Sequence, residues 1–145
     1  MQFDTPYFGL DLSDEWTGGP GEDAEQWIFQ APARKAEVIV SVMGLDAAGL
    51  DLEPIGEKIL EHRRRAEVEC APDRAVSLAE PWTSVAPDGR GRQLNFLGCD
   101  DQDRHFFYAG FLHDGGLLNV RGELLDADSA AIEDLFREVL SGLRL

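Results

Sequence analysis

The sequence feature that most limits the fold is the segment from residue 105 to residue 113, because both of its faces are apolar. In a β-strand, successive side chains point to opposite faces of the sheet. One face then carries Phe106, Tyr108 and Leu112, and the other carries Phe107, Ala109 and Phe111. A half-solvated strand would alternate apolar and polar residues, so this segment needs cover on both sides. Either helices cover both sheet faces, or one face is an exposed aromatic strip that contacts a partner protein or a second copy of the chain.

Further strands are expected before and after this segment. Alternation of apolar and polar residues, or enrichment in β-branched and aromatic residues, indicates each of them. The expected strands cover residues 8–12, 25–30, 37–43, 75–86, 92–99, 105–113 and 117–125. Asp88-Gly89 and Asp114-Gly115-Gly116 separate consecutive strands and are turn sequences that favour antiparallel hairpins. Residues 13–21 contain three Gly residues and Pro20, which is typical of a loop.

Two amphipathic helices are expected from the 3.6-residue period of apolar positions. The first covers about residues 53–69, and Pro72-Asp73 follows its end. The second closes the chain, and its apolar stripe is Ile132, Leu135, Phe136, Val139, Leu140 and Leu143. Asp128 or Ser129 is suited to cap its first turn, and Gly142 is expected to adopt a left-handed conformation near its end.

The order of these elements predicts the fold class. Strands cluster together in the order β-β-β-α-β-β-β-β-α and do not alternate with helices, which favours an α+β fold. We expect a mainly antiparallel sheet of about six to seven strands with two amphipathic helices. A chain of 145 residues is the usual size for one domain, so residues 1–145 are expected to form a single domain.

The charge balance narrows the classes of partner. Asp and Glu total 28 against 13 Lys and Arg, which gives a net charge of −15. Such a chain is repelled by nucleic-acid phosphates and by anionic lipid, so neither nucleic acid nor a membrane is an expected partner. The first residues lack the basic and apolar regions of a secretory signal, and no apolar run is long enough to span a membrane. A soluble, cytoplasmic protein is expected, with Cys70 and Cys99 reduced.

The acidity has two interpretations that the sequence leaves open: it keeps the protein soluble, or it steers association with a basic protein. The sharpest local asymmetry lies between residues 11 and 25, which contain no Lys or Arg. Large aromatic residues in loops or at strand starts are candidate interface anchors. The candidate partner-binding residues are Asp11, Asp14, Glu15, Trp16, Glu22, Asp23, Trp82, Phe107 and Phe111.

Two segments carry a resemblance to a known family. They are the opening Leu10-x-Leu12-x-x-x-Trp16 and the closing helix, which reads Ile132-Glu133-x-Leu135-Phe136-x-x-Val139-Leu140-Ser141-Gly142-Leu143. Together with the order of elements, they resemble the DcrB/PsbP-like α/β/α sandwich. That group includes chaperones of type VI secretion effectors, which usually carry Leu-Pro before the Trp, where this chain has Ser13-Asp14-Glu15. The stretch from Ala109 to Glu123 is more similar to small acidic immunity proteins. Both groups bind a protein partner.

No motif for catalysis or cofactor binding is present. There is no Gly-x-Ser-x-Gly elbow, dinucleotide loop or P-loop. His105 and His113 would lie roughly 26 Å apart on one strand, too far to share a metal ion. The acidic run 100–103 lacks the Gly and Glu positions of an EF-hand. We therefore expect no catalytic residue, metal or cofactor.

The function predicted from the sequence is that of a non-catalytic immunity protein that binds and neutralises a cognate bacterial toxin. The first alternative is a chaperone or adaptor for a type VI secretion effector. The second is a cytosolic enzyme with an unrecognised site. In the first two cases the partner is a cognate toxin or secreted effector, and a basic partner would suit the acidity of this chain.

Overall fold

The computed structural model describes residues 1–145, all of the chain. The strands are β1 (Gln2–Asp4), β2 (Gly9–Asp11), β3 (Thr17–Pro20), β4 (Gln26–Ala31), β5 (Ala36–Gly44), β6 (Val76–Leu78), β7 (Trp82–Val85), β8 (Arg92–Asp100), β9 (His105–His113), β10 (Gly116–Leu124) and β11 (Leu143–Arg144). The helices are α1 (Leu52–Glu69) and α2 (Ser129–Gly142), and a 3₁₀ turn, Pro32–Arg34, joins β4 to β5. Both predicted helices are confirmed. The predicted start and end of the first helix and the predicted start of the second agree with the structure to within one or two residues.

The main sheet has eight strands. Its order is β3-β4-β5-β10-β9-β8-β6, and β7 pairs with β8 beside β6. Every pairing in it is antiparallel. A second sheet of three short strands, in the order β1-β2-β11, joins the start of the chain to its last residues. The predicted α+β class with a mainly antiparallel sheet and two helices is confirmed.

The two helices cover opposite faces of the main sheet, and β9 is buried between them. On one face, Leu60 of α1 packs in a cluster with Phe96, Phe106, Tyr108 and Leu112. On the other face, the stripe of α2 packs in a larger cluster that contains Phe107, Ala109, Phe111, Leu118 and Val120. Phe107 is fully buried and Phe111 is 5% exposed. The prediction of an exposed aromatic strip with Phe107 and Phe111 is therefore wrong, because the apolar stripe of α2 covers that face.

The end of α2 differs from the expectation for Gly142. Asp128 caps the first turn as predicted, since its carboxylate accepts a hydrogen bond from the backbone N–H of Ala131 at 2.9 Å. Gly142 does not have a positive φ angle, and the chain continues from Leu143 in an extended conformation. A Cβ atom placed on Gly142 would collide with the backbone oxygen of Asp11. The residue needs to be small because β2 passes directly against the helix end, and not because of a left-handed turn.

Two strand predictions also differ from the structure. The segment predicted as one strand over 75–86 is divided into β6 and β7 at Ala79-Glu80-Pro81, because Pro81 has no N–H to donate to the sheet. The Nη2 of Arg64 donates a hydrogen bond to the backbone oxygen of Ala79 at 3.2 Å and stabilises the segment between the two strands. The predicted loop 13–21 contains β3, an edge strand whose Gly18 leaves room for the ring of Phe29.

Neither helix combines the length and apolar character that crossing a membrane requires.

Candidate functional site

Four connections lie together at one end of the main sheet. Gln26, the first residue of β4, lies opposite Ser41 near the end of β5. Gly116, the first residue of β10, lies opposite the last residues of β5 and β9, Gly44 and His113. Arg92, the first residue of β8, lies opposite Leu112 of β9 and Val85, the last residue of β7. The turn 21–25, the loop 45–51, the turn 86–91 and the turn 114–115 therefore leave the sheet at the same end. They carry seven carboxylates: Glu22, Asp23, Glu25, Asp46, Asp51, Asp88 and Asp114. We refer to this set of connections as the acidic end.

None of the seven carboxylates forms a salt bridge with Lys or Arg. Two of them accept hydrogen bonds from backbone N–H groups two residues further along the chain: Asp51 from Glu53 at 3.1 Å, and Asp88 from Arg90 at 3.0 Å. Arg90 is the one basic residue within the four connections. The acidic end therefore presents negative charge that the fold itself does not neutralise.

Two other carboxylates at this end have neutral or weakly basic neighbours. Glu25 accepts a hydrogen bond from the hydroxyl of Tyr7 at 2.8 Å, and this bond raises the pKa of that hydroxyl. The carboxylate of Asp114 lies 3.8 Å from the Nδ1 of His113. The same Nδ1 accepts a hydrogen bond from the backbone N–H of Gly115 at 3.0 Å. These contacts shape the turns and leave the negative charges in place.

The opposite end of the sheet has a different charge arrangement, because several of its acidic groups are paired with arginines, although exposed carboxylates such as Asp101 also lie there. The buried carboxylate of Asp100 contacts Arg104 Nε at 2.9 Å and Arg74 Nη1 at 3.1 Å. Arg104 also reaches Glu123 at 2.9 Å, and Arg121 reaches Glu67 at 2.6 Å. These arginines line an open cleft of about 400 Å³, but each guanidinium already has a carboxylate partner. The cluster is an internal ion-pair network and has no cation left over for an anionic ligand.

The pKa of Asp100 reflects this network. Burial of the carboxyl group by itself raises its pKa. Hydrogen bonds from the backbone N–H groups of Gln102 and Arg104, and from the guanidinium groups of Arg104 and Arg74, outweigh burial and lower the pKa to about 2. Asp100 is therefore ionised throughout the physiological range and fixes the turn between β8 and β9.

Exposed apolar side chains accompany the carboxylates of the acidic end. Tyr7, Met43, Leu50, Val85 and Leu145 are each between 47% and 62% exposed. Met43 and Val85 are at or next to the ends of β5 and β7, and Leu50 is in the loop that follows β5. Tyr7 and Leu145 line a cleft together with Asp88. Mixed acidic and apolar surface of this kind is suited to contact with a basic protein surface.

The structure separates the acidic residues selected from the sequence into two groups. Glu22 and Asp23 are exposed at the acidic end and have no hydrogen-bond or salt-bridge partner. The other three are held in ion pairs: Asp11 with Arg144 at 2.9 Å, Asp14 with the amino group of Met1 at 3.2 Å, and Glu15 with Arg34 at 3.1 Å. The first group is therefore the better candidate for a partner.

Trp16 is not an exposed anchor, so that prediction is wrong. Its side chain is 2% exposed and belongs to the core cluster beneath α2. The guanidinium of Arg34 lies 5.7 Å from the ring centroid and covers it, while Arg34 is itself held by Glu15 and Glu138. A Trp in a Gly-rich and acidic stretch can serve either packing or binding, and here packing accounts for its position.

Trp82 is 41% exposed on β7, where its ring packs edge-on against Phe136 of α2 at 5.7 Å. The strand order places β7 and β3 at opposite edges of the main sheet, six strand spacings apart, or about 29 Å measured along the sheet. Trp82 is not among the residues that line a cleft with Tyr7 and Asp88 at the acidic end. A partner contact at Trp82 stays a prediction.

Five members of this surface were not selected from the sequence: Tyr7, Asp46, Asp51, Asp88 and Asp114. The signal for three of them was present, because Asp88-Gly89 and Asp114-Gly115 were identified as hairpin turns and Asp51 precedes the first helix. Turns that alternate along an antiparallel sheet meet at the same end, but the strand order is needed to show which ones. No three His, Cys, Asp or Glu side chains converge as a set of metal ligands.

The whole chain is similar in fold to several solved structures. The solution structure of cyanobacterial PsbP (CyanoP) from Synechocystis sp. PCC 6803 superposes with a TM-score of 0.75, covering 100% of this chain and 91% of that one at 13% sequence identity. The fold is PsbP-like. A mutant form of the protein Mog1 superposes with a TM-score of 0.63 at 8% identity, covering 99% of this chain and 94% of that one.

A structure from Bacteroides thetaiotaomicron VPI-5482 gives a TM-score of 0.51 at 11% identity, covering 99% of this chain and 47% of that one. No protein-family model matches the sequence. A search of curated proteins also finds no match. At these low identities the structural likeness establishes the fold and carries no function with it.

Proposed function

We propose that this protein is a non-catalytic, immunity-type inhibitor that binds a basic bacterial toxin through its acidic end. The observation that carries the proposal is the set of seven carboxylates without a Lys or Arg partner, arranged around exposed apolar side chains. Elsewhere in the fold, arginines neutralise many of the acidic groups. Carboxylates that form no ion pair with Lys or Arg inside the fold are available to pair with another molecule.

The spacing of the four connections lets their charges act together. Neighbouring strands are about 4.8 Å apart, and the Debye length at physiological salt is about 8 Å. Connections one or two strands apart therefore lie within or near one screening length of each other. Their combined potential can raise the association rate of a basic protein by about 10-fold or more at low salt.

Once the charges have brought the partner to the acidic end, the exposed apolar residues would supply the contact that keeps it bound. Burial of apolar surface contributes about 25 cal/mol per Å², so a half-exposed Leu or Val contributes on the order of 1 kcal/mol when a partner covers it. Val85 and Leu50 are the most exposed of these side chains, at 62% and 60%. Charged residues around an apolar centre also exclude water from it, as in other protein interfaces.

The proposal is tested with a matched pair of triple variants. The first combines Glu22→Gln, Asp23→Asn and Asp46→Asn, which removes three charges from the acidic end. The control removes three exposed and unpaired carboxylates elsewhere: Glu57→Gln, Asp73→Asn and Asp101→Asn.

The wild-type protein and both variants are used to capture partners from the native cell at about 50 mM and 300 mM salt. We expect one basic protein to bind the wild type and the control at low salt. The acidic-end variant should bind it at least about 10-fold more slowly, and the difference should shrink at high salt. Equal binding by the two variants would contradict the proposal.

Co-expression supplies the functional test. If the captured protein is toxic to cells, the wild type should restore growth and the acidic-end variant should restore it less. Capture of a secreted effector through an apolar segment, without dependence on salt, would instead support the function of a secretion chaperone. Turnover of a small substrate would support an enzyme and would overturn the proposal.

A further inference from the structure

A small cleft lies within the acidic end, between Tyr7, Leu145 and the turn that follows β7. Its volume is about 150 Å³, and six of its nine lining residues are apolar or aromatic. Phe111 and Leu118 belong to the main core and form part of its floor. A second cleft of about 230 Å³ shares Asp88, Phe111 and Leu145 with the first.

We infer that this cleft is an anchor pocket for one aromatic or branched aliphatic side chain of the partner, with a Lys or Arg beside it in the partner's chain. The inference rests on the proposed function and specifies which kinds of partner side chain occupy the centre of the interface. Phe111, selected from the sequence as a partner residue, then has a restricted role. It is buried in the fold, and only the small part of its side chain that remains exposed can contact a ligand.

The volume of the cleft sets the size of the occupant. An apolar cavity of about 150 Å³ is known to take up a benzene molecule, so a phenyl or isobutyl group fits the space. The long, flat ring system of Trp is larger than the space. Hot spots of binding are commonly single aromatic or large apolar side chains in pockets of this kind.

The charge around the cleft sets the second requirement. Asp88 lines both clefts, and its carboxylate accepts a hydrogen bond only from the backbone N–H of Arg90. Glu25 is held near the rim by the hydroxyl of Tyr7, and Asp114 follows His113, another lining residue. An anionic side chain at this position would be repelled. A cationic group beside the apolar one would pair with Asp88.

Two small probes with the same ring test the inference directly. Phenethylamine carries a phenyl group and a cation, and phenylacetate carries a phenyl group and an anion. Each is titrated into ¹⁵N-labelled full-length protein, and the backbone amides of Ala86, Gly91 and Leu118 are followed by NMR. We expect phenethylamine to shift these amides with a Kd in the millimolar range, as for other fragments of this size, and phenylacetate to bind at least about 5-fold more weakly.

Variants establish where the probe binds. Ala86→Leu fills the cleft and should abolish the shifts, whereas Asp101→Asn, at an exposed position on the opposite end of the sheet and outside the lining, should leave the affinity unchanged. Tyr7→Ala removes a wall from an exposed position and provides a second test if Ala86→Leu does not fold. Asp88→Asn keeps an oxygen for the turn hydrogen bond and should reduce the preference for the cation. Absence of shifts at these amides at about 20 mM phenethylamine, or equal binding of both probes, would overturn the inference.

The inference and the proposed function can fail separately. If a basic toxin binds the Ala86→Leu and Tyr7→Ala variants as tightly as the wild type, the proposed function stands and the anchor pocket is wrong. If phenethylamine occupies the cleft as described but no basic protein binds the wild type, the pocket is supported and the proposed function is wrong.

Discussion

Asp100→Asn is expected to destabilise the protein by about 2 kcal/mol at pH 7. The folded protein lowers the pKa of this carboxyl group from 3.8 to about 2, and each tenfold change in proton affinity corresponds to about 1.4 kcal/mol. Asn retains an oxygen that can accept from the backbone N–H groups of Gln102 and Arg104. It removes the negative charge that Arg104 and Arg74 contact at 2.9 and 3.1 Å. The decrease in unfolding free energy therefore measures mainly the contribution of the negative charge.

The sign of the pH dependence follows from the direction of the pKa change. Because the folded-state pKa is lowered, the ionised carboxyl stabilises the fold fully above about pH 5, and this stabilisation is lost as the pH falls towards 2. At pH 3 the difference in unfolding free energy between wild type and Asp100→Asn should be about half of its value at pH 7. Urea denaturation at both pH values measures it.

Asp101→Asn is the matched control, because Asp101 is the exposed neighbour of Asp100 and forms no ion pair. It should change the unfolding free energy by less than about 0.5 kcal/mol at either pH. If Asp100→Asn behaves like this control, or if its effect is as large at pH 3 as at pH 7, the arginine network does not hold the turn as described.

Three further substitutions test the packing of α2 by urea denaturation. Asp128→Ala removes the cap that accepts from the N–H of Ala131 and should cost about 1 kcal/mol, whereas Ser129→Ala should have little effect. Leu135→Ala empties a fully buried position in the larger core cluster and should cost about 2 to 5 kcal/mol; a cost below about 1 kcal/mol would mean that α2 packs differently. Gly142→Ala should cost on the order of 1 to 3 kcal/mol because its methyl group meets the backbone oxygen of Asp11, and a stabilised variant would contradict this close approach.

The parts of the fold that could be predicted from the sequence are those with strong local patterns. The stripe of α2 and the apolar faces of β9 depend only on residue spacing, and both lie where the pattern indicates. The strands β1 and β11 have three and two residues, which is too short for a pattern. They form because Leu143 and Phe3 both come opposite Leu10 in the second sheet, and this pairing depends on the tertiary fold.

The candidate site was harder to predict, because charge along the sequence does not show which charges are paired. Asp11 and Glu15 are acidic neighbours in the sequence, but their partners Arg144 and Arg34 are distant in the chain. Asp46 and Asp114 are also distant in the chain, but the main sheet brings their connections to the same end. Both the ion pairs of Asp11 and Glu15 and the shared position of Asp46 and Asp114 depend on the tertiary fold.

The pairing of β5 with β10 has a consequence for how the chain is made. Val40 is opposite Val120, so about 80 residues separate partners in the middle of the sheet, whereas β8, β9 and β10 follow one another through short turns. At roughly 5 to 20 residues per second, a ribosome adds β10 roughly 4 to 16 seconds after β5. During that interval the apolar strand β5 has β4 on one side and no partner on the other. Such an edge favours association between nascent chains, so slower synthesis or a bound chaperone should have most effect on the yield of folded protein at this stage.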